Sequence, residues 1–506
     1  MKFERIKNAT QNLGWGLVNK ILLILLSFII RTVKIYYLGV EFLGLSSLFA
    51  SVLNLLNLAE LGFGSALIYS MYKPVAEKDT ETICALLNFY KKAYRIIGSI
   101  VLVLGLTVMP FLDFFISGNP PDHINIEVVY LLILCGTVVT YFMFAYMHAL
   151  LSAHQKTRIL SIIHGVLEIP KSLLQIFVIV YFKNYYLLLI IIPVFTVLYN
   201  IIIALYVKKE YPDFVATGKL EINIYKDIIQ KIKGLVLYKL GHIIGGSIEN
   251  IFISAFLGLS ILAIYSNYYY VLIVLHGFTT IYYNSIRASI GNSIVTESKE
   301  KNFNDFKRLF FIQGWFAGWM GICLICLFQH FIILWLGSAF LLEDFVVACF
   351  VLYFYIWKML DVVHVIKEAA GMWYLDKWRP LATAFICIIL YLLLIRTFGI
   401  LGVILPIIFC HLFVELPWSC RVLFRTYYRR STKIYYKLFL SYTGFSIFLG
   451  VITYCICRLL PDTDILSFVG KILICLFLPN TAYYFMYRKR DEFLQVKILL
   501  LKTFRK

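Results

Sequence analysis

Apolar runs of twenty or more residues recur along nearly the whole chain, among them 21–30 with its flanks, 128–151 and 177–207, with short polar segments between them. Such a run matches the roughly 20 apolar residues that a helix needs to cross the hydrocarbon core of a bilayer. Breaking the runs at Gly, Pro and charged residues predicts helices near 13–37, 45–70, 90–116, 126–151, 159–182 and 185–207. A basic connector follows, then helices near 234–257, 261–290, 309–335, 344–367, 379–396 and 400–424, and a last pair near 436–459 and 465–487. The predicted fold class is an all-α integral membrane protein of about 14 transmembrane helices. Its parts are an N-lobe over 1–207 with six spans, a cytoplasmic basic connector over 208–233, a C-lobe over 234–424 with six more, a helix pair within 425–487 and a basic cytoplasmic tail over 488–506.

A short repeat supports the division. Phe42-Leu43-Gly44-Leu45-Ser46, placed before the second predicted helix, returns as Phe256-Leu257-Gly258-Leu259-Ser260 before the eighth. Six helices separate the copies, and an even number of spans gives both the same orientation, so the halves are expected to be parallel repeats.

Composition narrows the class of function. With 61% hydrophobic and 15% charged residues, the chain of 506 leaves no stretch for a soluble domain. The net charge of +19 sits on Lys and Arg in short segments between apolar runs, which fits contact with anionic membrane lipids and excludes a nucleic-acid face. With the N-terminus inside, the inner segments collect Lys73, Lys78, Lys91, Lys92, Arg95, Lys156, Arg158, Lys208, Lys209, Arg308, Lys377, Arg379, Arg425, Arg429, Arg430 and the tail. The outer loops keep Lys183, Arg396 and Arg458. That asymmetry places both termini in the cytoplasm. The segment 1–7 and the apolar run after it imitate a signal peptide, but Arg31 and Lys34 stand where a cleavage site would be, so the run reads as a retained first helix.

The outer loops are too short for a catalytic domain, and no Walker loop, dinucleotide-binding Gly fingerprint, His-Glu-x-x-His or Gly-x-Ser-x-Gly elbow is present. No enzyme activity, cofactor or metal is therefore expected. The eleven Cys are scattered through apolar helices, Cys323 with Cys326 and Cys455 with Cys457 being the close pairs, and read as helix packing.

Ionisable residues inside spans cost about 2.5–3.5 kcal/mol on insertion scales, so they mark a cavity or a partner. Lys20, Arg31 and Lys34 fall within about 60° of arc on the first helix, a cationic ladder fit for an anionic headgroup. The bland alternative is that the lysines snorkel to the interfaces. In the second predicted helix Asn54, Asn57, Glu60 and Gly64 form a polar stripe that could pair with those cations or face substrate. The seventh carries Lys239, His242 and Glu249 on one face beside Gly245-Gly246, small residues that permit close approach. Arg287 ends the eighth, and Lys358, Asp361, His364 and Glu368 share roughly a 120° arc of the tenth. Glu415 with His411 in the twelfth is a weaker case. Candidate cavity residues are thus Lys20, Arg31, Lys34, Glu60, Lys239, Glu249, Arg287, Lys358 and Asp361, and candidates for ion coupling are His242, Glu249, Asp361 and Glu415. Tyr36-Tyr37, Tyr268-Tyr269-Tyr270 and Tyr282-Tyr283 read as interface-belt aromatics ahead of sugar platforms.

Several segments resemble the polysaccharide-biosynthesis, or oligosaccharide, flippases (Wzx-like) of the multidrug/oligosaccharidyl-lipid/polysaccharide exporter (MOP) superfamily. They are Tyr37 to Leu45, Leu58 to Ala66, Met71-Tyr72-Lys73-Pro74, Leu151-Ser152-Ala153-His154-Gln155, Ser254 to Leu259 leading into Ile264 to Tyr269, and Gly291-Asn292-Ser293. The resemblance runs nearly end to end. It implies two six-helix lobes and a C-terminal helix pair that, by alternating access around a cationic cavity, flip undecaprenyl-pyrophosphate-linked oligosaccharide repeat units to the outer leaflet of a bacterial plasma membrane. Surface polysaccharide biosynthesis (O-antigen, capsule or exopolysaccharide) would be the pathway, with its polymerase and glycosyltransferases as further partners. Arg31, Lys34 and Glu60 match family-like positions, whereas Leu381-Ala382-Thr383-Ala384-Phe385 lacks the Glu and Asn often found in the eleventh helix. Two other classes compete. An ion-coupled drug or metabolite antiporter of the same superfamily would want acidic residues around its cavity, and a membrane glycan polymerase or ligase would want a sizeable outer loop.

Overall fold

The computed structural model describes residues 2–60, 63–118, 120–121, 124–144, 146–462 and 464–504, with side chains from 14 to 498 except at 58, 59, 65, 231, 233–235, 237, 238, 288 and 373. All regular secondary structure among the described residues is helical. In order the α-helices are α1 Lys2–Tyr37, α2 Val40–Leu56, α3 Phe63–Glu77, α4 Thr80–Val108, α5 Ile126–Phe142, α6 Tyr146–Ala153, α7 Thr157–Phe177, α8 Tyr185–Glu210 and α9 Ile222–Leu257. They continue as α10 Leu259–Thr296, α11 Lys299–Leu336, α12 Asp344–Ala369, α13 Arg379–Phe398, α14 Leu401–Cys410, α15 Leu416–Arg421, α16 Lys433–Cys457, α17 Ile465–Tyr487 and α18 Asp491–Phe504.

Many helices start where the sequence supplies a cap. Asp79, Asn125, Asn184, Ser298 and Asp464 each accept a hydrogen bond from the backbone N–H three residues on, satisfying a donor that the helix itself leaves open. At Asp79 the bonds from Thr82 hold the carboxyl below its usual range. Large apolar side chains such as Val103, Leu173, Leu205, Leu393 and Phe477 face outward, as lipid requires and water would not tolerate in such number. The chain is a multi-pass membrane protein: among the described residues 12 helices are long and apolar enough to span, or 13 if one bent pair counts as a single span.

Two of the predicted spans are not continuous. The expected helix 45–70 is split, since α2 ends at Leu56, a tight 3-10 turn covers Asn57–Glu60 and α3 starts at Phe63. Asn57 and Glu60 take side-chain partners at the turn, so the stripe drawn through Asn54, Asn57, Glu60 and Gly64 does not lie on one helix face. The expected helix 126–151 bends by 54° between α5 and α6, where Phe144 has a φ of +54°. These two breaks account for the difference between the 14 spans expected and those that pass as single helices.

The basic connector 208–233 is also shorter than expected. Helix α8 continues to Glu210, which pairs with Lys156 at 2.8 Å, and α9 already begins at Ile222. Lys and Arg mark exposure, not absence of helix. Likewise α10 runs on to Thr296, so Arg287 lies within the helix and does not end it.

The chain forms two compact units, Met1–Ser266 and Asn267–Lys506. In the first, α2 packs along α9 and α1 along α7. In the second, α11 packs on α12, α16 and α17, and α12 is the most enclosed span. The repeat seen in sequence shifts register here: Gly44 lies inside α2, whereas Gly258 separates α9 from α10 with φ +92°. Its conformational equivalent is Gly39, with φ +116°, so Tyr37-Leu38-Gly39 answers Phe256-Leu257-Gly258 and each glycine opens a helix in a conformation side chains resist. Gly44 instead makes room for its partner: a Cβ there would meet the Leu259 carbonyl oxygen at 2.1 Å.

Candidate functional site

In the first unit the cations of α1 lie against hydroxyls. Arg31 donates through Nη2 to Ser266 Oγ at 2.5 Å, and Lys34 donates through Nζ to Ser46 Oγ at 3.1 Å. Ser46 Oγ is also 2.7 Å from the Tyr185 hydroxyl, and the Tyr185 ring centroid lies 5.8 Å from Nζ of Lys34. Among the described residues no carboxylate pairs with Lys34, so its charge is solvated by dipoles and an aromatic face. Lys20, half-buried, is eleven residues before Arg31 on the same face, about 16 Å along the axis.

Glu60 does not pair with these cations, contrary to one expectation. Its two carboxylate oxygens accept from the hydroxyls of Tyr94 and Tyr141, each at 2.9 Å, and Tyr141 also bonds Asn57 at 3.1 Å. The charge is absorbed by phenols on α4 and α5, aromatics whose role the sequence did not signal because Tyr is abundant throughout.

The polar positions of α9 divide. Ser247 accepts from Asn54 and Asn250 donates to Ser51, both at 2.9 Å, so two hydrogen bonds join α9 to α2. Glu249 is buried, with Oε1 lacking a hydrogen bond among the described residues, whereas His242 is exposed and Lys239 half-buried. The expected close approach at Gly245-Gly246 is not made, since a Cβ at either would meet nothing within 4 Å.

The second unit treats its charges differently. Lys358 on α12 is fully buried, and its three N–H donors are met by Asp361 at 2.7 Å, His276 Nδ1 at 2.5 Å and Thr279 at 3.2 Å, with Trp357 at 4.5 Å. One face of α12 away, Lys367 donates to Asp376 at 2.6 Å and Ser419 at 2.8 Å, and Arg379 binds Asp376 at 2.9 Å and also Glu415. His364 and His411 lie 3.2 and 3.3 Å from the same Glu415 carboxylate. Two cations face two carboxylates, and with neutral imidazoles the cluster carries no net charge, the condition for burying it at tolerable cost. Arg287 pairs with Glu368 at 3.0 Å. Arg379 begins α13, where the sequence predicts a span over 379–396, but it is buried, and helical period alone does not single out Lys367, Asp376 or His276. The i, i+3 spacing of Asp376 and Arg379 ahead of Pro380 was the available signal.

The tyrosines divide by exposure. Tyr36, Tyr37 and Tyr282 are exposed, as interface residues would be, whereas Tyr268 is buried and bonds Gln329 at 2.6 Å, and Tyr283 is buried against Gln313.

No protein-family model matches the sequence, and no curated protein matches it either. Solved structures do. The lipid II flippase MurJ in an inward closed conformation matches with a TM-score of 0.65 over 94% of this chain and 98% of its own, at 14% identity. An inward-facing multidrug resistance MATE family transporter of the MOP superfamily matches with a TM-score of 0.55 over 79% and 94%, again at 14% identity. A Vibrio cholerae MATE transporter, VcmN, matches with a TM-score of 0.54 over 84% and 99%, at 12% identity. The two central helix breaks and the paired charges described above thus sit on the fold that the MurJ flippase and the MATE transporters have in common.

Proposed function

We propose that this protein is a transporter that flips undecaprenyl-pyrophosphate-linked oligosaccharide repeat units from the cytoplasmic to the outer leaflet of a bacterial plasma membrane, by alternating access. One observation carries the reading. Lys34 is satisfied by a neutral hydroxyl and an aromatic ring, whereas Lys358, Lys367, Arg379 and Arg287 each have a carboxylate. A cation that the protein itself leaves without a counter-charge is suited to an anionic ligand, and a pyrophosphate supplies two adjacent charges. In this reading Lys20, Arg31 and Lys34 form the headgroup track, and Glu249, buried with one carboxylate oxygen lacking a hydrogen bond among the described residues, is the candidate for coupling. The termini are cytoplasmic, the lobes are 1–207 and 234–424, and the pathway's polymerase and glycosyltransferases act on either side of the step.

The neighbour named as a lipid II flippase supports a lipid-linked substrate, and the MATE neighbours support the competing antiporter reading. Binding separates them. Purified protein in nanodiscs should retain an undecaprenyl-pyrophosphate oligosaccharide in native mass spectrometry, Lys34→Ala should lose most of the bound population, and Lys34→Arg should keep it. Equal retention by wild type and Lys34→Ala, with retention of an organic cation instead, would point to the antiporter.

A further inference from the structure

Three cysteines far apart in sequence meet in the second unit. Cys326 on α11, Cys457 at the end of α16 and Cys475 on α17 place their sulfurs within 4.8 Å of one another, with Cys457 and Cys475 at 4.0 Å, and all three are buried. Neither Cys-x-x-Cys nor Cys-x-Cys spacing produces this trio: it takes one member of each close pair, leaving Cys323 half-buried and Cys455 exposed, and adds Cys475 from another helix.

The spacing has a chemical meaning. A metal ion bound to three thiolates at about 2.3 Å in a plane holds its sulfurs about 4.0 Å apart. A disulfide needs about 2.05 Å between two sulfurs and would leave the third unused. Structural zinc takes four ligands, and no fourth His, Cys, Asp or Glu donor joins the group among the described residues. Three soft, buried donors select a soft, monovalent ion of the Cu(I) type.

The surroundings carry two further features. Lys471, one helical turn before Cys475 on α17, is buried and pairs with Asp462. Three thiolates with one monovalent cation carry a net charge of −2, and an ammonium one turn away offsets part of it. His330, one turn beyond Cys326 on α11, is fully buried, and neither ring nitrogen has a hydrogen bond among the described residues. Its Nδ1 lies 3.4 Å from the Asp462 carboxylate that also pairs with Lys471, so the three groups form one polar cluster a helical turn from the thiols.

We infer that Cys326, Cys457 and Cys475 form a three-coordinate site for a soft monovalent metal ion, which ties the C-terminal helix pair α16 and α17 to α11. On binding, the three thiols lose their protons to solvent, and the ion stays in its reduced state, so no oxidant or reductant is consumed.

The test uses the full chain in detergent under reductant, titrated with Cu(I) against a chromophoric Cu(I) chelator. Wild type is expected to withdraw one equivalent, with three sulfurs at about 2.3 Å in X-ray absorption, and to melt at a higher temperature once loaded. Cys326→Ser, Cys457→Ser and Cys475→Ser should each weaken binding at least 100-fold, whereas Cys323→Ser and Cys455→Ser should bind as wild type. Alanine at the same three positions provides a second set should a serine variant fail to fold. Equal binding by Cys475→Ser and Cys455→Ser, retention of four-coordinate Zn(II) in place of Cu(I), or a Cys457–Cys475 disulfide in protein isolated without reductant would overturn the assignment.

Discussion

Nζ of Lys34 donates to Oγ of Ser46 at 3.1 Å, a hydroxyl that brings no charge to set against the ammonium. A partner so weak contributes little to folding, so Lys34→Ala should shift stability by less than about 1 kcal/mol while abolishing support of surface-polysaccharide export in cells. Ser46→Ala, which removes the same hydrogen bond but keeps the cation, should leave export within a few fold of wild type. Melting temperature and export scored together separate a binding role from a structural one.

Lys358 and Asp361 present the opposite case. Both sit in a span, and Lys358 has every donor satisfied. Asp361→Ala leaves a buried ammonium without its counter-charge and should cost about 3–5 kcal/mol, whereas the double variant Lys358→Met with Asp361→Leu should recover most of that loss. Unfolding in mixed micelles across the four variants of the cycle measures the coupling directly.

Glu60 is held by two phenols. Tyr94→Phe and Tyr141→Phe should each cost about 1.5–3 kcal/mol, the range for a hydrogen bond to a charged group. Glu60→Gln should weaken the stability effect of both, because it removes the charge those hydroxyls serve. A thermal-shift double-mutant cycle reads the interaction.

Two glycines give a contrast in sign. Gly44→Ala would drive a methyl into the backbone of Leu259 at 2.1 Å and should destabilise by at least about 1–3 kcal/mol. Gly444→Ala, within α16 and open to space, should stabilise by up to about 1 kcal/mol. Equal effects at the two sites would contradict the contact between α2 and α10.

The class of the fold was legible because its signal is additive: apolar runs of spanning length identify membrane helices regardless of how they pack. The breaks after Leu56 and Phe142 were not, because they depend on Tyr94, Tyr141 and Phe144, residues common in every span of this chain. Charges on one helix face were found by period alone, which brought out Lys34, Lys358 and Asp361. Their partners lie on other helices, so the period could not separate Lys34, left to a hydroxyl, from Lys358, enclosed by His276, Thr279 and Asp361. The burial of Arg379 escapes the period for the same reason. A basic residue before a span resembles an interface anchor until Asp376 and Glu415 are seen to enclose it. In the repeat, five matching letters align Gly44 with Gly258, whereas the backbone conformation pairs Gly258 with Gly39, a requirement that letter identity does not carry.

The central claim is tested most directly in liposomes that contain the purified protein and a fluorescent undecaprenyl-pyrophosphate oligosaccharide, with outward exposure of the glycan followed by an enzyme added outside. The account predicts exposure that depends on wild-type protein and is lost in Arg31→Ala and Lys34→Ala at unchanged melting temperature. Exposure at the wild-type rate in both variants, or none with wild type under any imposed ion gradient, would contradict it.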